Sequence, residues 1–394
     1  MSFSPVRRSL PTPEAQGLIT MVAEFADDQL APRAAAAEAA EEFPREVLAQ
    51  MGQLGLLTLP FPESLGGGGQ GYQTYLQVLE EISMRWASIA LSVSVNCLAH
   101  HPVVAFGSDT MKSELLPGLM SGTSLGAYCL SEVHAGSDPI AIRTIAKRDG
   151  NGWVINGTKA WVTHGGAADF YIVFARTSED PSHGISCFYV PAGTPGMTVG
   201  KRESKMGLTS SPTTLIHFDN AHIDDTALTG LIGEPGDGLR VALSALDAGR
   251  LGIAATATGL AQAALNYSLR YAMDREAFGS QIIDYQGVSF MLADMDAQIQ
   301  SAREMYSAAA RLKDSGQPYS REASISKLIA TDTVMRVTTD AVQVLGGAGY
   351  TRDHPVERYM REAKVMQIFE GTNQIQRMVI ARHLVNGNLG KGSS

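Results

Sequence analysis

From Val288 onward, apolar residues recur at helical spacing: Val288, Leu292, Met295, Ile299, Ala302, Met305, Ala309 and Leu312. The stripe predicts one amphipathic helix of about seven turns. Gly316 and Pro318 end it. A second long helix is predicted from Ser320 to Leu345, stopped by Gly346-Gly347. Two helices of this length indicate a bundle. The first third of the chain, from 12 to about 122, is also helical in pattern. Pro44 suits the first turn of a helix carrying Val47, Met51 and Leu54 on one face, and Gly55 stops it. Tyr75, Leu76, Leu79 and Ile82 repeat the spacing, and the alanine-rich Ala34 to Ala40 reads as helix.

Between about 126 and 235 the period shortens. Trp153-Val154-Ile155, then Asn156-Gly157, then Lys159 to Thr163 reads as a hairpin on a tight Asn-Gly turn. Phe170 to Phe174, Ile185 to Val190 and Thr213 to Phe218 read as strands. The chain therefore divides into a helical domain (1–125), a β domain (126–235) and a helical bundle domain (236–394). This is an α+β chain, mainly α. The order is not alternating βα, which argues against a doubly wound sheet. Two glycine motifs fall short of phosphate-binding loops. After Gly152 and Gly157 the lysine, Lys159, comes one place late, and Gly233, Gly236 and Gly238 run in the reverse of the dinucleotide spacing. Gly66 to Gly69 is a turn, because no Gly-Lys-Ser/Thr follows it.

Composition narrows the partners. The 394 residues suffice for two or three cores. A net charge of -9 disfavours nucleic acid and anionic membranes as main partners. Cys97, Cys129 and Cys187 show no zinc spacing, and an odd count fits a reducing compartment. No metal site is expected. No apolar run approaches the ~18 residues of a membrane span. Arg7-Arg8 is not followed by an apolar stretch, so no signal peptide is expected. The expected location is cytoplasmic.

The chemistry concentrates at Ile368-Phe369-Glu370-Gly371-Thr372-Asn373-Gln374. Glu370 falls in a short break between the helix-forming Pro355 to Lys364 and a last helix carrying Ile375, Met378 and Val379 on one face. Thr372 and Asn373 are both able to cap that helix. A carboxylate on an apolar background beside a glycine suits a general base: burial raises its pKa from roughly 4.3 toward neutrality, and the glycine leaves room for a ligand. The ordinary alternative is a glutamate that only favours a helix dipole.

Four further segments bear on that choice. Tyr128-Cys129-Leu130-Ser131-Glu132 precedes Ala135-Gly136-Ser137-Asp138; by itself it is a polar turn. Trp161-Val162-Thr163 ends the hairpin arm, where a lone Trp is ordinarily core. Arg275-Glu-Ala-Phe278-Gly279 lies between helical segments, and Gln343-Val-Leu-Gly346-Gly347 closes a long helix. Together with Glu370, in this order, they resemble the acyl-CoA dehydrogenase family. Asp247-Ala248-Gly249-Arg250 is similar to its substrate-proximal Leu-Asp-x-x-Arg segment. Some relatives carry their glutamate just before that arginine; Gly249 stands there, so the resemblance leaves Glu370 as base. The likeness departs at Val133-His134, His164 and Phe369, where Pro-Gly, Asn and Tyr are usual; loop and supporting roles are expected for both histidines.

The resemblance implies a helical domain, a β-barrel or sandwich domain and a four-helix bundle. It implies FAD held by Tyr128, Leu130, Ser131, Trp161 and Thr163. Arg275, Phe278, Gln343, Gly346, Gly347, Thr372 and Gln374 complete the FAD set, with Arg275 reaching the pyrophosphate of a neighbouring subunit. It places Ser137, Asp247, Arg250 and Gly371 at the substrate. The implied reaction is α,β-dehydrogenation of an acyl-CoA to trans-2-enoyl-CoA. Glu370 takes the pro-R α-proton, and the β-hydrogen leaves as hydride to the flavin. The thioester carbonyl is bonded to the flavin ribityl hydroxyl and the Glu370 N–H. A homotetramer and an electron-transfer flavoprotein partner follow from the same likeness. An acyl-CoA oxidase, a flavin monooxygenase and a non-catalytic CoA-binding protein are the alternatives. A short or branched acyl group is preferred, because Leu246 to Ile253 resembles short-chain members.

Overall fold

A computed structural model describes residues 6–389 apart from Ser182 and Ala227. The first layer is helical: α1 (Pro13–Phe25) runs through a π-helical turn into α2 (Ala31–Ala40), then α3 (Arg45–Gln53), α4 (Tyr72–Ser83), α5 (Ala87–Phe106) and α6 (Asp109–Met120). Leu54 falls outside α3 and is 45% exposed, so the expected stripe ends at Met51. By length and composition α5 could cross a membrane, contrary to the sequence reading. Most of it is buried inside the fold, however, and an all-round apolar helix is what a core position requires.

Strands follow: β1 (Gly126–Cys129), β2 (Ile145–Asp149), β3 (Gly152–Thr163), β4 (Phe170–Arg176), β5 (Ile185–Pro191), β6 (Met197–Arg202), β7 (Thr213–Asp224) and β8 (Gly230–Ile232). They pair in the order β6-β7-β3-β2-β4-β5-β8, with β1 also on β4. The single pair Ile145–Arg176 joins β2 to β4, so the sheet folds as two halves over one core of Trp153, Ile155, Tyr171, Phe188 and Ile216. The alternate residues of β4, Phe170, Ile172 and Phe174, face the helices instead. Burial on both faces explains why this strand is a continuous apolar run.

Asn156-Gly157 is not a turn. β3 continues through it, with a bulge between Ile155 and Gly157 against β7. The reversal lies at Gly150, between β2 and β3. Gly157 has φ +146°, and a Cβ there would collide with Thr144, so glycine is required by close packing.

The last layer contains α7 (Gly238–Asp274), a small hairpin of β9 (Glu276–Ala277) and β10 (Ser280–Gln281), α8 (Gln286–Asp314), α9 (Ser320–Leu345), α10 (Val356–Met366) and α11 (Asn373–Leu389). α7 is buried continuously from Ala248 to Leu265. Its small residues allow close approach: a Cβ on Gly252 or Gly259 would strike Ser94 or Glu80. Met378, on the expected apolar face of α11, is 58% exposed.

Glu80 of α4 ties the helical layers together. Within a fully buried cluster it accepts from Arg303 at 2.7 Å, from Arg8 at 3.2 Å and from Tyr306. Burial alone would raise its pKa, but Arg8 and Arg303 outweigh that and hold it near 2. Glu80→Ala leaves Arg303 buried without a carboxylate and Arg8 with Glu81 alone, and is expected to cost about 3–5 kcal/mol at neutral pH, measured by denaturant unfolding. The depressed pKa means this contribution is present above the ordinary carboxylate range and fades as pH falls toward 2.

Candidate active site

α10 ends in a tight turn, with Ile368 N–H donating to Val365 O at 2.8 Å. Glu370 (φ +51°) and Gly371 (φ +89°) then form two successive left-handed residues. That reverses the chain, and Asn373 N–H closes the loop onto Gln367 O at 3.0 Å. Thr372 caps α11, its hydroxyl accepting from Ile375 N–H at 3.3 Å. Asn373, the other expected cap, is occupied elsewhere: its side chain bonds Thr331, Asp332 and Lys327 on α9.

The left-handed turn aims the Glu370 carboxylate inward. Both oxygens are shielded from solvent and neither has a hydrogen-bond partner, although the residue as a whole is partly exposed. Burial pushes its pKa up to about 7, with Lys327 and Arg250 partly offsetting the rise. Gly249 of α7 lies against it. A Cβ there would approach Glu370 Oε2 to well under 3.0 Å, with Leu98 Cδ1 at 3.3 Å on another side. Next to Gly249 is a small cavity walled by Tyr75, Ser94, Cys97, Leu98 and Ala245, with room for about one water.

The strand residues converge from the other side. Lys159 of β3 is fully buried, donating to Leu130 O at 3.0 Å and to Glu132 at 2.8 Å. Ala160 N–H donates to Ser131 O at 2.9 Å. The Tyr128–Ser131 segment is thereby fixed to β3. Tyr128 donates to Ala242 O on α7, within electrostatic range of Glu370. Trp161 is 53% exposed on a left-handed backbone (φ +56°), not a core tryptophan, and Thr163 beyond it is half-buried. His164 is fully buried, bonded through Nδ1 to Gly126 O at 2.9 Å, and burial lowers its pKa to about 4. His134 is exposed.

Several of the other expected residues stand apart, whereas Asp247 and Arg250 flank Gly249. Gln343, exposed like Gly346 and Gly347, is 16 residues beyond Lys327, about 24 Å along α9 at helical rise. Arg275 follows the far end of α7, roughly 39 Å from Gly249 by the same measure. Phe278 beside it is 98% exposed. Gln374 is exposed on α11, and Ser137 lies in the open loop after β1. Asp247 is engaged by Arg250 at 2.5 Å and by Ser320 at 3.0 Å; Arg250 Nε is buried without a partner. Among the described residues no group of three or more His, Cys, Asp or Glu is placed to hold a metal ion.

Family models for the N-terminal, middle and C-terminal domains of acyl-CoA dehydrogenase match residues 12–123, 127–221 and 236–385. The chain belongs to the acyl-CoA dehydrogenase family. Its three-part fold, its assignment as an oxidoreductase and its FAD dependence follow from that membership. The mitochondrial short-chain specific acyl-CoA dehydrogenase of Rattus norvegicus is 41% identical over 383 residues, covering 96% of this chain and 92% of that one. The structure of butyryl-CoA dehydrogenase from Megasphaera elsdenii aligns with TM-score 0.92 and 38% identity, covering 96% and 100%. A chain solved in work on the electron transferring flavoprotein of Acidaminococcus fermentans aligns with TM-score 0.93 and 40% identity, covering 96% and 99%.

In this acyl-CoA dehydrogenase, sequence reasoning missed Lys327, Tyr75 and the Glu132–Lys159 pair. Lys327 had a signal. It interrupts Ala323, Ala330 and Val334, the buried face of α9, and a lysine at a core position calls for a partner.

Proposed function

We propose that this dehydrogenase oxidises a short, butyryl-sized acyl-CoA to the trans-2-enoyl thioester, with Glu370 as the base. The observation that carries the reading is the Glu370 carboxylate: buried, without a hydrogen-bond partner, and beside a small cavity. A base held near pH 7 by burial ionises without a large penalty and is basic enough to take an α-proton. The Glu370 N–H is the donor assigned to the thioester carbonyl, worth roughly 3–4 kcal/mol to the developing enolate. The short-chain relatives support a short acyl group.

The residues present fit FAD. Trp161 offers an exposed indole face at the end of β3, and the backbone of 128–131 is locked beside it. When bound, FAD accepts the β-hydrogen as hydride. Tyr128, Leu130, Ser131, Trp161 and Thr163 would hold its ring side. Arg275, Phe278, Gln343, Gly346 and Gly347, too distant within one chain, would serve a neighbouring protomer. Gly371 and Arg250 would border the thioester. The large exposed apolar side chains Phe278, Tyr350 and Met378 support a homotetramer. An electron-transfer flavoprotein is the proposed acceptor, supported by the Acidaminococcus alignment. Three buried free cysteines favour a reducing, cytoplasmic location.

Anaerobic titration with butyryl-, octanoyl- and palmitoyl-CoA tests the reading. Bleaching of the flavin absorbance by butyryl-CoA at the lowest concentration is expected. Preferential bleaching by palmitoyl-CoA would refute the chain length, and bleaching by none would refute dehydrogenation of simple acyl groups. With butyryl-CoA, the rate of bleaching should rise with pH along a limb centred near pH 7, because only the carboxylate form of Glu370 accepts the proton.

A further inference from the structure

The turn that carries Glu370 is held from α9 by a lysine no part of the reaction has yet used. Lys327 is fully buried, and its Nζ donates to Gly371 O at 2.9 Å and to Asn373 Oδ1 at 2.9 Å. Both partners are neutral oxygens. Burying an ammonium against neutral groups is costly unless something else on the site requires the charge.

Two features show what requires it. The first is backbone strain. A non-glycine residue in the left-handed region persists only where its surroundings over-determine it. Glu370 and Gly371 are both left-handed, and the Gly371 carbonyl between them and α11 takes two donors, Lys327 Nζ and Gln376 Nε2, each at 2.9 Å. Asn373 is tied to Thr331 and Asp332 of the same α9 face. The second is charge. The Glu370 carboxylate has no direct partner, so its ionisation depends on the field around it.

We propose that Lys327 is a positioning residue for the base: its ammonium fixes the Gly371–Asn373 turn by two hydrogen bonds and supplies the positive field against which Glu370 ionises.

The surrounding charges are consistent with this division of labour. From α7, Arg250 also favours the Glu370 anion, but it is engaged by Asp247. Asp332 of α9 acts on Lys327 and is itself bonded by Arg377 of α11. Tyr75 of α4 and Tyr128 of β1 face Glu370 and remain neutral, because burial raises both phenols. Burial lowers Lys327 to about 7, partly offset by Glu370. The two groups therefore titrate in the same interval and bias each other.

The proposal rests on the dehydrogenase reading for its kinetic test only. In FAD-loaded enzyme, the acid limb of the butyryl-CoA reduction rate should move up by about one pH unit in Lys327→Met, because removing a nearby cation disfavours the carboxylate. Lys327→Gln can still donate to the Gly371 carbonyl but lacks the charge, so it should show the same shift with a smaller loss of rate. Lys327→Arg should keep the wild-type limb. A purely structural lysine predicts lower rates with an unmoved limb in Lys327→Met and Lys327→Gln, and that result overturns the proposal. A second readout needs no turnover. In protein labelled with ¹³C-lysine, the Lys327 resonance, assigned by its loss in Lys327→Arg, should titrate at lower pH in Glu370→Gln than in wild type. Unchanged titration overturns the coupling even if Lys327→Met and Lys327→Gln fail to fold. If no thioester bleaches wild-type flavin, the functional reading fails, while the resonance still decides whether Lys327 and Glu370 are coupled.

Discussion

Glu370→Gln should remain yellow and lose substrate-driven flavin reduction by about a thousandfold or more, the scale of a positioned general base. The amide keeps the size of the side chain and leaves the turn from Ile368 to Asn373 undisturbed, since that turn is built from backbone bonds and from Lys327, Thr331, Asp332 and Gln376. Binding of butyryl-CoA should therefore survive. Stopped-flow reduction measures the first effect and equilibrium titration the second. The variant should also be more stable than wild type at pH 8 and not at pH 4. A carboxyl whose folded pKa is raised to about 7 takes up protons on folding, so its stability contribution declines as pH rises from the ordinary carboxylate range to about 7. The difference at pH 8 should be on the order of 1–3 kcal/mol, read by denaturant unfolding. Opposite signs for activity and stability distinguish a functional carboxylate from a structural one.

Gly249→Ala should lower the reduction rate by about a hundredfold while leaving FAD content unchanged. The added methyl would fall on Glu370 Oε2, and Leu98 Cδ1 at 3.3 Å limits relief on the other side. The carboxylate must move, and a displacement near 1 Å costs about that factor when a proton must be transferred in line. The loss should appear in the reduction step, with little change in the concentration of butyryl-CoA needed to saturate it. An unchanged rate would mean that Glu370 works from another rotamer.

The parts of the fold legible in the sequence were those with one apolar face. α8 and α9 have half-buried faces, so their stripes mark them well. α7, the longest helix described, gave no such stripe because small residues bury it on every side from Ala248 to Leu265. β4 and β5 were found as apolar runs. β1 was not, since its four residues carry little pattern. Asn156-Gly157 misled because the glycine serves packing against Thr144, a long-range contact that no local rule contains. At the site, Glu370 was legible from its apolar neighbours and its glycine. The contact with Gly249 and the hold of Lys327 on Gly371 join α7, α9 and the loop before α11, and only the fold brings them together.

The most direct test of the central claim is the product itself. Purified enzyme mixed anaerobically with one equivalent of butyryl-CoA, then analysed by mass spectrometry, should yield a thioester lighter by one hydrogen pair that co-elutes with the trans-2-enoyl standard, in step with loss of flavin absorbance. Recovery of butyryl-CoA unchanged, or of a product that has gained oxygen, would contradict α,β-dehydrogenation by Glu370.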